Sequence, residues 1–206
     1  PAIGLAALHA FKRNSDAIIG VYPSDHIIMG DSKFKIAICR AWEMVEQKTS
    51  LITIGIKPTY PATGYGYIQY DPRGKTEVEG VYKVKTFTEK PRKETAEKFL
   101  NSGDFLWNGG MFVWKAKNIL SEIKTFIPLL HQSLKTIYDA LSTSQYEIVL
   151  RREWQLVQPE SIDYGILERA QNVYTIEADF KWNDLGSWNS LFSVLTKNKE
   201  QNYKER

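Results

Sequence analysis

Cysteine is nearly absent from this sequence: Cys39 is the only one in 206 residues. A single cysteine excludes an intrachain disulfide and any metal site built from several thiolates. We interpret Cys39 as a buried core residue, because it lies at an apolar position of a helical pattern. A chain without disulfides is typical of a reducing compartment, and we therefore expect it to be cytoplasmic.

Long apolar runs and dense clusters of basic residues are missing as well. No stretch approaches the roughly 18 apolar residues that a membrane-spanning helix needs, and no segment has the pattern of a signal peptide. The formal net charge is only +3, without a Lys/Arg block of the kind that binds nucleic acid. The sequence therefore indicates no membrane partner and no nucleic-acid partner.

Apolar and charged residues occur in ordinary globular proportions, and the chain is long enough to form one large domain. Ala17–Val21 has the continuous apolar pattern of a strand buried on both faces. Asp31–Lys48 has the pattern of an amphipathic helix, and Leu51–Ile56 that of a second buried strand. This alternation predicts an α/β fold, with a Rossmann-like, mostly parallel mixed sheet flanked by helices.

The remaining elements are predicted from the same periodicities. Further strands are expected at Tyr82–Thr88, Met111–Trp114 and Val173–Ala178. Further helices are expected at Ala2–Lys12, Lys93–Leu100, Asn118–Ser142 (broken at Pro128), Tyr146–Val157 and Trp188–Leu195, with a short helix after Ser161.

One candidate site residue stands where the first predicted strand ends. Pro23 stops that strand, and Ser24 and Asp25 follow directly. Ligands of open α/β sheets bind just outside the carboxyl ends of the strands, so Asp25 stands where a site is expected. A Pro-Ser-Asp turn explains the same residues without any function, and the two interpretations have equal weight.

A second acid, adjacent to a base, stands at another strand end. Glu89 and Lys90 follow the strand Tyr82–Thr88, and Pro91 stops it. Because adjacent strand residues face opposite sides of a sheet, both side chains can reach one pocket only if the strand end bends. Taken alone, a solvated surface pair is the favoured interpretation.

Other polar positions have a structural explanation beside a functional one. Gly66 precedes an aromatic strand, where it lets the backbone approach a ligand or marks a bulge. Asn108 offers a donor and an acceptor for a sugar hydroxyl, or begins a hairpin turn. Asp163 lies in the first turn of the short helix capped by Ser161, where negative charge is favoured anyway. Asp184 falls in a loop.

Six motifs occur in one order along the chain: PSDH, TGYGYI, FTEKP, WNGGMF, SIDYGILE and DFKWNDLGSW. Together they resemble the sugar-1-phosphate nucleotidyltransferases, and most closely the bacterial mannose-1-phosphate guanylyltransferases. The resemblance implies Mg²⁺-dependent transfer of a guanylyl group from GTP to mannose 1-phosphate, without a covalent intermediate. It leaves open a different hexose 1-phosphate or nucleotide, a non-catalytic regulatory homologue that binds a sugar phosphate, and a homodimer.

The resemblance also implies a role for each candidate residue. Asp25 and Asp184 would hold Mg²⁺ and, with Lys90 on the sugar phosphate, would carry the catalysis. Sugar contacts are implied for Gly66, Glu89, Asn108 and Asp163. Nucleotide contacts are implied for Pro1, Ala2, Ser24 and Asp25.

Two parts of the family are expected beyond this sequence. Its N-terminal glycine-rich loop, which binds the triphosphate, would precede Pro1, and a C-terminal β-rich or cupin-like domain would follow Arg206. We therefore expect a truncated catalytic domain over 1–195 and a tail or linker over 196–206. By itself, such a fragment is expected to be inactive.

Overall fold

The architecture is a β-sheet with helices packed against it. The structure is a computed structural model that describes residues 1–74, 76–186 and 188. It also describes the backbone of residues 196–197 and 203–204. The strands are β1 (Ile18–Val21), β2 (Ile27–Met29), β3 (Leu51–Ile56), β4 (Tyr67–Tyr70), β5 (Val81–Thr88), β6 (Phe105–Lys115), β7 (Val173–Glu177), β8 (Lys181–Asn183), β9 (Thr196–Lys197) and β10 (Tyr203–Lys204). The helices are α1 (Ala2–Arg13), α2 (Asp31–Gln47), α3 (Lys93–Ser102), α4 (Ala116–Phe126), α5 (Pro128–Ala140) and α6 (Tyr146–Leu156), followed by a π-helical turn (Asp163–Leu167).

The main sheet has the strand order β1-β6-β3-β7-β5-β4, and β4 also pairs with β6. The long strand β6 is antiparallel to β1, β3 and β4. Strand β5 is antiparallel to both β4 and β7. Among the described strands, only β3 and β7 form a parallel pair.

The predicted α/β class with a mixed sheet flanked by helices is confirmed, but the expectation of a mostly parallel sheet is wrong. Strands β1 and β3 do run in the same direction, since both are antiparallel to β6. They are not neighbours, because β6 lies between them. The sequence pattern reveals the order of elements along the chain, whereas this insertion depends on contacts between distant segments.

Strand β1 is less buried than its apolar sequence predicts. Its residues are half-buried or exposed, because β1 lies at the edge of the described sheet and pairs there with β6 alone. Strand β3, by contrast, is buried along its whole length. Its side chains alternate between two apolar clusters: Ile52 and Ile54 pack with α2, and Leu51 packs with α1, α4 and α5.

The prediction that Cys39 is a core residue is wrong, because its thiol is exposed. Helix α2 buries Ala37, Ala41, Met44 and Val45, which share one face of a helix with 3.6 residues per turn. Cys39, two residues from both alanines, lies away from that face. Trp42, which the amphipathic pattern also places among the apolar positions of this helix, is 47% exposed.

The helical segments around Pro128 agree with the sequence analysis, since α4 ends at Phe126 and α5 begins at Pro128. The short helix predicted after Ser161 is the π-helical turn, and Oγ of Ser161 accepts the N–H of Tyr164 at 3.3 Å. None of the described helices has the length and apolar character of a membrane span.

The predicted helix Trp188–Leu195 lies outside the described residues except for Trp188, and so does the proposed domain boundary after residue 195. In the predicted tail, β9 and β10 form an antiparallel ribbon. The sequence analysis did not predict this regular structure.

Candidate active site

The side chain of Asn108 is held in one orientation by hydrogen bonds. Its oxygen accepts the hydroxyl of Thr53 at 2.7 Å, and its amide nitrogen donates to Oδ1 of Asp163 at 2.9 Å. Its backbone N–H donates to the carbonyl of Gly66 at 2.7 Å. Asn108 therefore lies inside β6, and the interpretation of this segment as a hairpin turn is wrong.

Gly66 is where the backbone approaches this cluster most closely. A β-carbon added there would collide with Oε2 of Glu89 and lie 3.3 Å from Cβ of Asn108. A side chain at this position would therefore require the carboxylate of Glu89 to move. Gly66, Glu89 and Asn108, predicted from three separate motifs, line one site.

The strand end at Glu89 and Lys90 bends in the way that a shared pocket requires. Lys90 has φ = 44°, a left-handed conformation that is uncommon outside glycine. Its Nζ consequently lies 3.2 Å from Oε1 of Glu89, whose side chain is only 9% exposed. The hydrogen bond and the charge of Glu89 raise the pKa of Lys90. Glu89 is thus largely buried, whereas the side chain of Lys90 is 58% exposed, so the surface-pair interpretation fails for Glu89 alone.

Asp163 is the acid whose ionisation is most strongly opposed at this site. Burial, together with the charge of Glu89, raises the pKa of Asp163 to about 6, against the opposing effects of Lys90 and the hydrogen bond from Asn108. Near neutral pH, Asp163 and Glu89 can both accept hydrogen bonds from the hydroxyls of a sugar.

We expect Asp163→Asn to stabilise the protein above pH 6. The native pKa of about 6 exceeds the ordinary value of 3.8, so the native state binds the proton more tightly than the unfolded state. The carboxyl therefore costs stability progressively as the pH rises from about 4 to 6, to a limit of about 3 kcal/mol. Chemical denaturation at pH 4 and pH 8 measures this, and the variant should gain most at pH 8.

Asp104→Asn is the matched comparison with the opposite sign. Hydrogen bonds from Ser102 and Gln69 lower the pKa of Asp104, so its carboxylate stabilises the native state once it is ionised. Asp104→Asn should therefore lose stability relative to wild type as the pH rises. An Asp163→Asn variant whose advantage is the same at both pH values would contradict the assignment.

Asp25 and Asp184 lie at the same end of a two-stranded ribbon that the sequence analysis missed. Strands β2 and β8 are antiparallel, with Ile27 opposite Asn183. Asp25 precedes β2 and Asp184 follows β8, so both loops leave the ribbon together. Ser24 and Asp25 are exposed in a turn, and Asp184 is half-buried.

Tyr65 links Asp184 to the Asn108 cluster. Its ring packs edge-on against Trp107 and Trp182, with centroids 5.1 and 5.4 Å away. Burial, with smaller contributions from the neighbouring Tyr60 and Asp184, raises the pKa of Tyr65. Since Gly66 is the next residue, one short segment contacts both halves of the site.

The loop that carries Asp25 also lies next to β6. A β-carbon added at Gly110 would lie 3.5 Å from Cγ of Pro23 and 3.7 Å from Cε1 of His26. The indole N–H of Trp182 donates to Nδ1 of His26 at 3.1 Å, which fastens β8 to this loop. Asp25, Asp184 and Asn108 therefore belong to neighbouring parts of one surface.

The side chains of Asp25 and Asp184 offer carboxylate oxygens, the type of ligand that a divalent metal ion such as Mg²⁺ binds. Mg²⁺ prefers oxygen ligands and commonly uses one or two carboxylates, with water and substrate phosphates completing its octahedron. Among the described residues, no group of three or more His, Cys, Asp or Glu side chains could hold a metal. A site here would therefore depend on the phosphates of a substrate.

Other candidate positions are less closely connected to this site. Pro1 interacts with Glu160, and Ala2 is exposed at the first position of α1. Their predicted nucleotide contacts remain predictions.

Sequence reasoning missed three residues: Thr53, Tyr65 and Glu168. Thr53 had a signal, because it is a polar residue in an otherwise apolar strand. Glu168 lies within the SIDYGILE motif, but nothing in that motif indicated that Oε1 of Glu168 accepts the backbone N–H of Glu89 at 2.9 Å.

Comparison with known proteins now identifies the family. The sequence model described as "Nucleotidyl transferase" matches residues 1–201. The chain belongs to the nucleotidyl transferase family. A mannose-1-phosphate guanylyltransferase of Klebsiella pneumoniae is 36% identical over 203 residues, which cover 98% of this chain and 43% of that protein. The chain thus spans less than half the length of the curated relatives it matches.

Two solved structures have the same fold as this chain. A protein from Thermus thermophilus, described as a mannose-1-phosphate geranyltransferase, aligns with a TM-score of 0.80 and 27% identity, over 95% of this chain and 55% of that one. One from Helicobacter pylori, described as a mannose-6-phosphate isomerase, aligns with a TM-score of 0.75 and 29% identity, over 89% of this chain and 70% of that one.

Proposed function

We propose that this chain provides the sugar-phosphate and metal sites of a mannose-1-phosphate guanylyltransferase. The observation that carries the proposal is that Glu89, Lys90, Asn108 and Asp163 meet in one hydrogen-bonded site, adjacent to Asp184. The relative from Klebsiella pneumoniae, which carries that name, supports the choice of substrates. The reaction is GTP plus mannose 1-phosphate giving GDP-mannose and pyrophosphate.

The first task of the site is to bind and orient the sugar. Glu89 and Asp163 accept hydrogen bonds from sugar hydroxyls, and the side-chain amide of Asn108 in β6 holds Asp163 in place. Gly66 admits the sugar to the backbone, because no side chain stands there. With its pyranose held in this way, the phosphate of mannose 1-phosphate lies within reach of Lys90, which binds it as a point charge.

The second task is to align two anions that repel each other. A phosphate oxygen of mannose 1-phosphate attacks the α-phosphorus of GTP, and pyrophosphate leaves from the opposite side. Held by Asp25 and Asp184, Mg²⁺ would neutralise the negative charge on the phosphate oxygens. Tyr65 is the aromatic neighbour of Asp184 at this site. Ser24, Pro1 and Ala2 are the proposed contacts to the nucleotide.

The direct test is a substrate panel with the full-length protein, in which pyrophosphate release is measured for four nucleoside triphosphates against several hexose 1-phosphates. GTP with mannose 1-phosphate should have the highest kcat/KM. A higher value for another pair would reassign the substrates. Binding of mannose 1-phosphate without pyrophosphate release from any triphosphate would indicate a non-catalytic regulatory homologue instead.

A further inference from the structure

The π-helical turn (Asp163–Leu167) is wider than an α-helical turn, and its geometry places two acidic side chains on successive turns. The backbone N–H of Glu168 donates to the carbonyl of Asp163 at 3.0 Å, so this turn joins residues five apart. In an α-helix, residues three and four apart share a face, whereas residues five apart do not. The wider turn therefore stacks Asp163 and Glu168 on successive turns. Such turns are rare and occur frequently at functional sites.

Both carboxylates accept hydrogen bonds from strand residues of the sugar site. Oδ1 of Asp163 accepts the side-chain amide of Asn108 in β6 at 2.9 Å. Oε1 of Glu168 accepts the backbone N–H of Glu89, directly after β5, also at 2.9 Å. The π-helical turn thus connects β6 with the end of β5.

The N–H of Glu89 has this acceptor outside the sheet, because the sheet ends before it, and the contact is exposed to solvent. The last residue pair between β4 and β5 is Tyr67 with Thr88. Lys90 then adopts φ = 44°, and Pro91 has no N–H to donate. A left-handed conformation at a lysine is disfavoured, and it persists only where the surrounding contacts impose it.

We propose that Glu168 is a positioning residue for the sugar-phosphate site, acting through the backbone N–H of Glu89 to keep the strand end bent at Lys90. The inference rests on the function proposed above. Without the acceptor, the strand end can return to an extended conformation, in which Glu89 and Lys90 face opposite sides. The sugar phosphate would then lose one of its two neighbouring contacts.

Two substitutions of Glu168 in the full-length protein separate this role from a role of its charge. Glu168→Ala removes the acceptor, and we expect the KM for mannose 1-phosphate to rise about tenfold or more, as for the loss of one hydrogen bond to a charged group. Glu168→Gln keeps an acceptor oxygen without the charge, so it should remain within about threefold of wild type. The KM for GTP should stay nearly constant in both variants.

Glu122→Ala is the matched control. Glu122 accepts the side-chain amide of Asn172 at 3.0 Å, so its loss also removes a hydrogen bond to a glutamate, but at a contact that includes neither Glu89 nor Lys90. It should leave both KM values unchanged. The proposal would be overturned if Glu168→Ala and Glu168→Gln raised the KM for mannose 1-phosphate equally. It would also be overturned if the KM for mannose 1-phosphate and the KM for GTP rose by the same factor.

Amide hydrogen exchange provides a second measurement that does not depend on activity. The amide of Glu89 should exchange faster in Glu168→Ala than in wild type, and Glu168→Gln should restore its protection. If wild type shows no transfer from any triphosphate, the proposed function fails while this exchange measurement still tests the contact. Unchanged exchange at Glu89 in Glu168→Ala would refute the positioning role whatever the activity.

Discussion

Asp184→Asn is expected to lower kcat of the full-length enzyme by about a thousandfold, the scale of several kcal/mol that a metal contributes to charge stabilisation. Asparagine keeps the size of the side chain but loses the charge that we propose holds Mg²⁺. The concentration of Mg²⁺ required for half-maximal activity should rise as well. Steady-state kinetics over a range of Mg²⁺ concentrations measures both effects, and Asp25→Asn should behave in the same way.

Asp179→Asn is the control for this experiment. Asp179 lies five residues before Asp184 and pairs with Lys33 at 2.8 Å, with a side chain that is 86% exposed. An exposed pair of this kind contributes little to stability, so its loss should leave kcat and the Mg²⁺ requirement unchanged. Near-normal turnover by Asp184→Asn, at an unchanged Mg²⁺ requirement, would rule out the metal role.

Lys90→Met should have the second largest effect, a fall of about a hundredfold in kcat/KM for mannose 1-phosphate, as expected when a charge-assisted contact to phosphate is lost. Methionine keeps the length of the side chain without its charge. The loss should appear mainly in the KM for the sugar phosphate, because that is the ligand proposed for Lys90. Initial rates at varied mannose 1-phosphate and saturating GTP measure it.

Lys85→Met is the comparison for Lys90→Met. Lys85 lies in β5, is as exposed as Lys90 (53% against 58%), and pairs with Asp71 at 3.6 Å. It should retain wild-type kinetics. If both variants lose the same activity, the effect is one of overall charge, and the assignment of Lys90 to the sugar phosphate is wrong.

Local patterns predicted the elements of the fold better than their arrangement. The continuous apolar run of β3 and the break at Pro128 were identified correctly, because both depend on residues close in sequence. The edge position of β1 and the exposure of Cys39 were missed. Both depend on which surface a distant segment covers, and periodicity identifies an apolar face without identifying its partner.

The candidate site shows the same division. The residue types carried a signal: acids at Asp25, Glu89 and Asp184, and an amide at Asn108, each near the end of an element or a glycine. The contacts that orient them carried none. Thr53 meets Asn108 across 55 positions, and Glu168 meets Glu89 across 79.

The sequence by itself thus determined which side chains are available and the position of most helices and of the buried strands. Only the tertiary structure decided that Asp25 and Asp184 leave one ribbon together and that Lys90 turns toward Glu89. The physical reason is the range of the interactions. Secondary-structure preferences act over a few residues, whereas a binding site forms when long loops close and distant hydrogen-bonding groups find each other.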